Sequence, residues 1–146
     1  MNTISKDDEL SHFTGTVDEL NSNLGLVKAL LTDKDTCQFI EDIQKKLMKL
    51  MSHVSDPQNK NYFFSNDDTA ILTNKIKKLK EKLPEQTQFV IPGRNPIEAQ
   101  IHITRTVTRR AERLYITASN RQPLCEQAGE YLNKLSDYLF FLALMT

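Results

Sequence analysis

Val17, Leu20, Leu24, Val27 and Leu31 recur at alternating three- and four-residue steps, the spacing that lays side chains along one face of an α-helix. Gly15-Thr16 just ahead marks the expected start, which leaves residues 1–14 as an irregular N-terminal segment. Phe39, Ile43, Leu47, Leu50 and Val54 repeat the pattern, with Asp35 or Thr36 as the expected cap and Asp56-Pro57 as the stop. The polar run from Gln58 to Asn61 reads as a loop. From Asp67 onward, Ile71, Ile76, Leu79 and Leu83 alternate with lysines, which predicts a third helix with one face in water, ended by Pro84. Gln86 to Asn95 is expected to be extended and to end in a turn, because a residue before proline is biased away from helix and Gly93 frees the backbone. Pro96 suits the first turn of a fourth helix, whose apolar residues Ile97, Ile101, Ile103, Val107 and Leu114 lie on more than one side. Such a helix belongs inside a bundle or at a subunit contact. After Asn120 to Pro123, Tyr131, Leu132, Leu135, Leu139 and Leu142 define a last helix from about Cys125 to Leu144.

Five helical segments with no period-2 strand pairs predict an all-α fold, a helical bundle in one domain over residues 1–146. Composition agrees, since 39% hydrophobic and 26% charged residues suit a globular chain better than a disordered one. Nineteen basic residues balance nineteen acidic ones, so the broad positive field of a nonspecific nucleic-acid binder is absent. The apolar run from Tyr138 to Met145 falls well short of the roughly 20 residues that span a bilayer. The polar start, Met1 to Glu9, resembles neither a secretory signal nor a transit peptide, and a cytoplasmic location is expected. Cys37 and Cys125 lack metal-site spacing, and His12, His53 and His102 are scattered, so structural or surface roles are expected and no metal cluster is assigned.

One segment carries more charge than a core helix needs. Arg105-Thr106-Val107-Thr108-Arg109-Arg110-Ala111-Glu112-Arg113 holds four guanidinium groups and a carboxylate, with Arg105, Arg109 and Glu112 on one helical face. Ile97, Ile101, Ala111 and Ala118 form a neighbouring apolar stripe. Arginine forks suit phosphate and carboxylate oxygens, so the row fits a polyphosphate site, an ion-pair network between helices or a solvated face. Spacing alone leaves these three open.

Four segments in order change that balance. Gly15-Thr16-Val17-Asp18-Glu19-Leu20-Asn21-Ser22, Phe89-Val90-Ile91-Pro92-Gly93, the arginine row and Tyr131-Leu132-Asn133-Lys134-Leu135-Ser136-Asp137 together resemble the PduO-type ATP:cob(I)alamin adenosyltransferases. The resemblance runs from about Ser5 to Ala143, with Ile43-Gln44 and His102 as weaker matches. It implies a homotrimer of five-helix bundles with sites between subunits. The implied reaction transfers the 5′-deoxyadenosyl group of ATP to a reduced corrinoid and releases triphosphate, so the protein would act mainly through positioning and charge.

By position, the resemblance implies that Arg109, Arg110, Glu112 and Arg113 line the ATP site, with Glu112 helping to orient the nucleotide and its Mg2+. Asn133 would contact ATP, and Lys6 would meet phosphate. Asp18 and Arg105 would bridge neighbouring subunits, and Asp137 would orient its neighbours. Phe89 would pack beneath the corrin and help displace cobalt's lower axial ligand, giving a four-coordinate cob(II)alamin that is easier to reduce. A corrinoid reductase and an adenosylcobalamin-dependent enzyme are the implied protein partners.

The family's usual opening, close to T-K-T-G-D-x-G-x-T, wraps the triphosphate and has no counterpart in these residues, where the match starts at Ser5-Lys6-Asp7-Asp8. If each charge-assisted hydrogen bond contributes about 1.5–3 kcal/mol, losing that loop weakens ATP binding by several kcal/mol. Three readings follow. The chain is an adenosyltransferase that works without that loop, or a corrinoid- or nucleotide-binding interaction protein on the same scaffold, or its native start lies upstream. Arg94 stands where a second glycine is common and offers itself as replacement phosphate charge.

Overall fold

A computed structural model describes residues 6–85 and 88–146, and every long element in it is an α-helix. In chain order these are α1 (Lys6–Leu30), α2 (Lys34–Ser55), α3 (Asn66–Glu81), α4 (Pro96–Ser119) and α5 (Glu126–Leu144). A short 3-10 turn, Lys60–Tyr62, interrupts the expected loop after α2.

The apolar spacing becomes the core. Phe13, Val17, Leu20, Leu24 and Val27 of α1 are fully buried, as are Ile40, Leu47 and Leu50 of α2 and Leu132, Leu135 and Leu139 of α5. α4 packs most extensively, against α5 on one side and α1 on the other, while α2 lies on α1 and α3 on α5. The Lys46–Asp68 ion pair, at 2.5 Å, joins α2 to α3 at the far side of the bundle. The central position of α4 explains why its apolar residues lie on several sides. Ile101 and Val107 enter the core, whereas Ile103 and Ile116 stay half exposed.

Two expectations need correction. The supposed irregular segment over 1–14 is helical from Lys6 on, because Phe13 extends the buried stripe one turn before Val17 and Leu10 packs against it. The cap of α2 is Asp33 rather than Asp35 or Thr36. Its Oδ2 accepts the Thr36 amide at 3.0 Å, which satisfies an otherwise orphaned N–H of the first turn. The start of α4 follows the expected logic, with Pro96 in the first turn and Asn95 Oδ1 accepting the Glu98 amide at 2.9 Å. No described helix is long and apolar enough to cross a membrane.

Candidate functional site

The second half of α4 lies close against α5 because Gly129 carries no side chain there. A Cβ at that position would stand 3.3 Å from the Tyr115 ring. The Tyr115 hydroxyl donates to the Cys125 carbonyl and ties the two helices at the same level. Burial pushes the tyrosine hydroxyl far above its usual pKa, so it stays a donor.

This close approach sets Asn133 beside Glu112. Asn133 Nδ2 donates to Glu112 Oε2 at 2.9 Å, and Arg109 Nη1 lies 3.7 Å from Glu112 Oε1. The Glu112 side chain is only 14% exposed, so its direction is fixed by these two neighbours. Glu112, Ile116, Gly129, Glu130, Asn133 and Lys134 line a cleft of about 400 Å³. Arg109 and Arg113 are exposed. Arg110 ion-pairs with Glu19 of α1, which holds its guanidinium at the α1–α4 boundary. The row therefore divides by surroundings rather than forming one uniform patch.

A second region surrounds the Phe89 loop. Phe89 is fully exposed and Ile91 is 84% exposed, so the apolar tip has no packing inside the subunit. Gly93 adopts φ +114°, a conformation that side-chain-bearing residues rarely take. Below the turn, Glu98 is completely buried. Its Oε1 accepts the Gly93 amide at 2.7 Å, and its Oε2 accepts Arg94 Nε at 3.0 Å. The Gly93 amide bond, with help from Arg94, holds the Glu98 carboxyl below the usual carboxylate range against the opposing effect of burial. Arg94, offered by the sequence as phosphate charge, is thus engaged at the loop base.

His102, one turn beyond Glu98, is also buried. Its Nδ1 accepts Arg105 Nε at 3.2 Å, which leaves the ring proton on Nε2 in the neutral form. Nε2 has no hydrogen-bond partner and lies 4.0 Å from Glu98 Oε2. Burial, with the neighbouring Arg105 charge, pushes the His102 pKa down despite the attraction of Glu98. A hollow of about 300 Å³ opens here between Pro92, Gly93, His102, Ile103 and Arg105.

The chain as a whole matches a known family. A family model described as cobalamin adenosyltransferase covers residues 1–146. The chain belongs to the cobalamin adenosyltransferase family. A corrinoid adenosyltransferase from Citrobacter freundii is 35% identical over 144 residues, covering 96% of this chain and 82% of the relative. A cobalamin adenosyltransferase from Cupriavidus metallidurans is 38% identical over 133 residues, covering 88% of this chain and 70% of the relative. Among solved structures, a phenylalanine-to-alanine variant of the PduO-type ATP:corrinoid adenosyltransferase from Lactobacillus reuteri, complexed with cobalamin and ATP, superposes with a TM-score of 0.85. It is 28% identical, and the match covers 94% of this chain and 80% of that one.

Within this family member, the structure brings Arg109, Glu112 and Asn133 together and sets Phe89 apart on its own loop. Arg110 and Arg113 lie on the same helix, with Arg110 held by Glu19. Asp18 is exposed on α1, while Arg105 turns its Nε toward His102. Lys6 begins α1, but its side chain lies outside the described residues. Glu98 was not singled out from the sequence, where an acid in a helix's first turn is an ordinary macrodipole partner. The signal available was the turn just before it, Pro92-Gly93-Arg94, whose amides need an acceptor.

Proposed function

We propose that the protein transfers the 5′-deoxyadenosyl group of ATP to a reduced corrinoid. The observation that carries this reading is the Arg109–Glu112–Asn133 set, with Glu112 and Asn133 lining a cleft of about 400 Å³, in a family member that also presents a bare aromatic loop. Cobalt of cob(I)alamin supplies an electron pair to the ribose C5′, the Co–C bond forms, the C5′–O bond breaks, and triphosphate leaves with the bonding pair. The protein needs neither a nucleophile nor a proton shuttle for this step. It needs the two reactants in line and the departing charge matched.

Arg109 and Arg113 supply the cationic forks for the triphosphate, and Arg110 joins them by exchanging Glu19 for phosphate. Asn133 holds Glu112 in place, and Glu112 orients the nucleotide. Among the described residues, no group of three or more His, Cys, Asp or Glu side chains stands ready to hold a metal. Magnesium therefore fits as a companion of the nucleotide phosphates, with Glu112 as the carboxylate this chain offers it, and its chemistry there is charge neutralisation. Phe89 faces the corrin, where an apolar ring in place of a donor lowers the cost of losing cobalt's lower axial ligand.

The proposed assembly is a homotrimer in which Asp18 of one subunit meets Arg105 of the next. Half-exposed Ile103 and Ile116 on α4 support a subunit contact on that helix. The proposed location is the cytoplasm, with a corrinoid reductase upstream and an adenosylcobalamin-dependent enzyme downstream. The test is to saturate the protein with MgATP, add cob(II)alamin and record the visible spectrum. An ATP-dependent four-coordinate cob(II)alamin signal is expected. A folded protein that binds neither ATP nor corrinoid contradicts the reading.

A further inference from the structure

Glu98 occupies the third helical position after Asn95, where an acidic side chain ordinarily reaches back to the N-cap amide. Here it reaches further, to the turn that follows Phe89-Val90-Ile91-Pro92. One oxygen accepts the Gly93 amide at 2.7 Å and the Arg94 amide at 3.3 Å, and the other accepts Arg94 Nε at 3.0 Å. Arg94 Nη2 then donates to the Ala143 carbonyl at 2.9 Å, and Asn95 Nδ2 donates to the Thr146 carbonyl at 2.9 Å. The loop base is thereby fastened both to the start of α4 and to the end of α5.

A fully buried carboxylate is costly unless its oxygens are satisfied, and these hydrogen bonds all go to a single turn. The tip above that turn has the opposite character. Phe89 and Ile91 are left in water with no subunit neighbour to order them. An apolar tip without packing samples many orientations unless its base is fixed. Fixing the base in advance removes ordering entropy from the binding step.

We propose that Glu98 is a positioning residue for the corrin face, a buried anion that fixes the Gly93-Arg94 turn so that Phe89 and Ile91 stand in one orientation before the corrinoid arrives. This rests on the reading of Phe89 as the corrin-facing aromatic. Glu98 acts through the loop and touches no reacting atom. It also lies fourteen residues before Glu112, about 21 Å along the helix at 1.5 Å per residue, so its influence on the nucleotide cleft is small.

The experiment compares the wild-type protein, Glu98→Gln, Phe89→Ala and the double variant, each saturated with MgATP and titrated with cob(II)alamin. Glutamine keeps the side-chain shape but loses the charge and turns an NH2 toward a donor. The half-saturation concentration for the four-coordinate signal is expected to rise about tenfold in Glu98→Gln, while MgATP affinity changes less than about twofold. In the Phe89→Ala background the same substitution should have a much smaller effect, because the ring through which Glu98 chiefly acts is gone and only Ile91 remains. Should Glu98→Gln fail to fold, Gly93→Ala carries the test. Its Cβ meets nothing within 4 Å, so it disturbs the turn through the backbone alone, and it should give the same phenotype. A wild-type signal that Glu98→Gln and Gly93→Ala leave unchanged overturns the role of Glu98 alone, as does a full additional loss in the Phe89→Ala background. Absence of the signal in the wild-type protein overturns the corrin reading and this role with it.

Discussion

The two working regions of α4 are built in opposite ways. Toward its C-terminal half, Glu112 is held by Asn133 and Arg109 inside a cleft formed by the subunit's own helices. Before its first turn, the Phe89 loop is fastened at its base and bare at its tip. The first arrangement presets polar groups, whose value depends on direction. The second exposes apolar surface, whose value appears only when something covers it. One chain thus carries a polar cleft whose groups are held in place by its own helices and an aromatic platform whose packing must come from a ligand or another subunit.

Breaking the preset region should cost the most. Arg109→Ala removes the guanidinium proposed to meet the departing charge and should lower kcat/KM for adenosylcobalamin formation by about 10²–10³. A loss below about fivefold in a steady-state assay would return the arginine row to a structural role. Phe89→Ala sharpens the contrast. It should reduce turnover by roughly 10–100-fold, yet leave thermal stability within about 0.5 kcal/mol, since the side chain buries nothing in the subunit. A melting curve shifted well beyond that would mean that the ring packs against the protein itself.

Asn133→Ala is expected to raise the MgATP dissociation constant about tenfold, from loss of one hydrogen bond to a charged partner. Calorimetric titration checks it, and the four-coordinate corrinoid signal at saturating ATP should stay close to wild type. The smallest effect is on stability against pH. Burial lowers the pKa of both His53 and His102 below 6.5 in the folded state, so the unfolded chain binds protons first as the solution is acidified. Stability should therefore be fully present above about pH 6.5 and decline as pH falls through that value toward the folded pKa values. His53→Gln keeps an acceptor for the Cys125 amide, which His53 Nε2 accepts at 2.9 Å, and should flatten part of the decline in denaturation midpoints. An unchanged slope would contradict the role assigned to burial.

Most of the helical order was legible because a regular apolar period is a direct record of which face enters a core. The start of α1 was not, since Leu10 and Phe13 stand among polar residues and Gly15 looks like a breaker, although packing carries the helix through it. The cap at Asp33 was hidden by equally good capping residues at positions 35 and 36. Arg109, Glu112 and Asn133 were named by resemblance and stand together in the structure, but the pairing of Arg110 with Glu19 depends on how α1 meets α4. Glu98 was the least legible. Its only signal was the preceding turn, whose amides need an acceptor, and burial beneath that turn makes an ordinary first-turn acid the anchor of the aromatic loop.

The most direct test of the account is to mix the protein with MgATP and chemically reduced cob(I)alamin and follow adenosylcobalamin and triphosphate together. One triphosphate released per adenosylcobalamin formed is the predicted result. A folded protein that binds MgATP and yields no adenosylcobalamin would contradict the transferase reading and leave the cleft and the loop as binding surfaces alone.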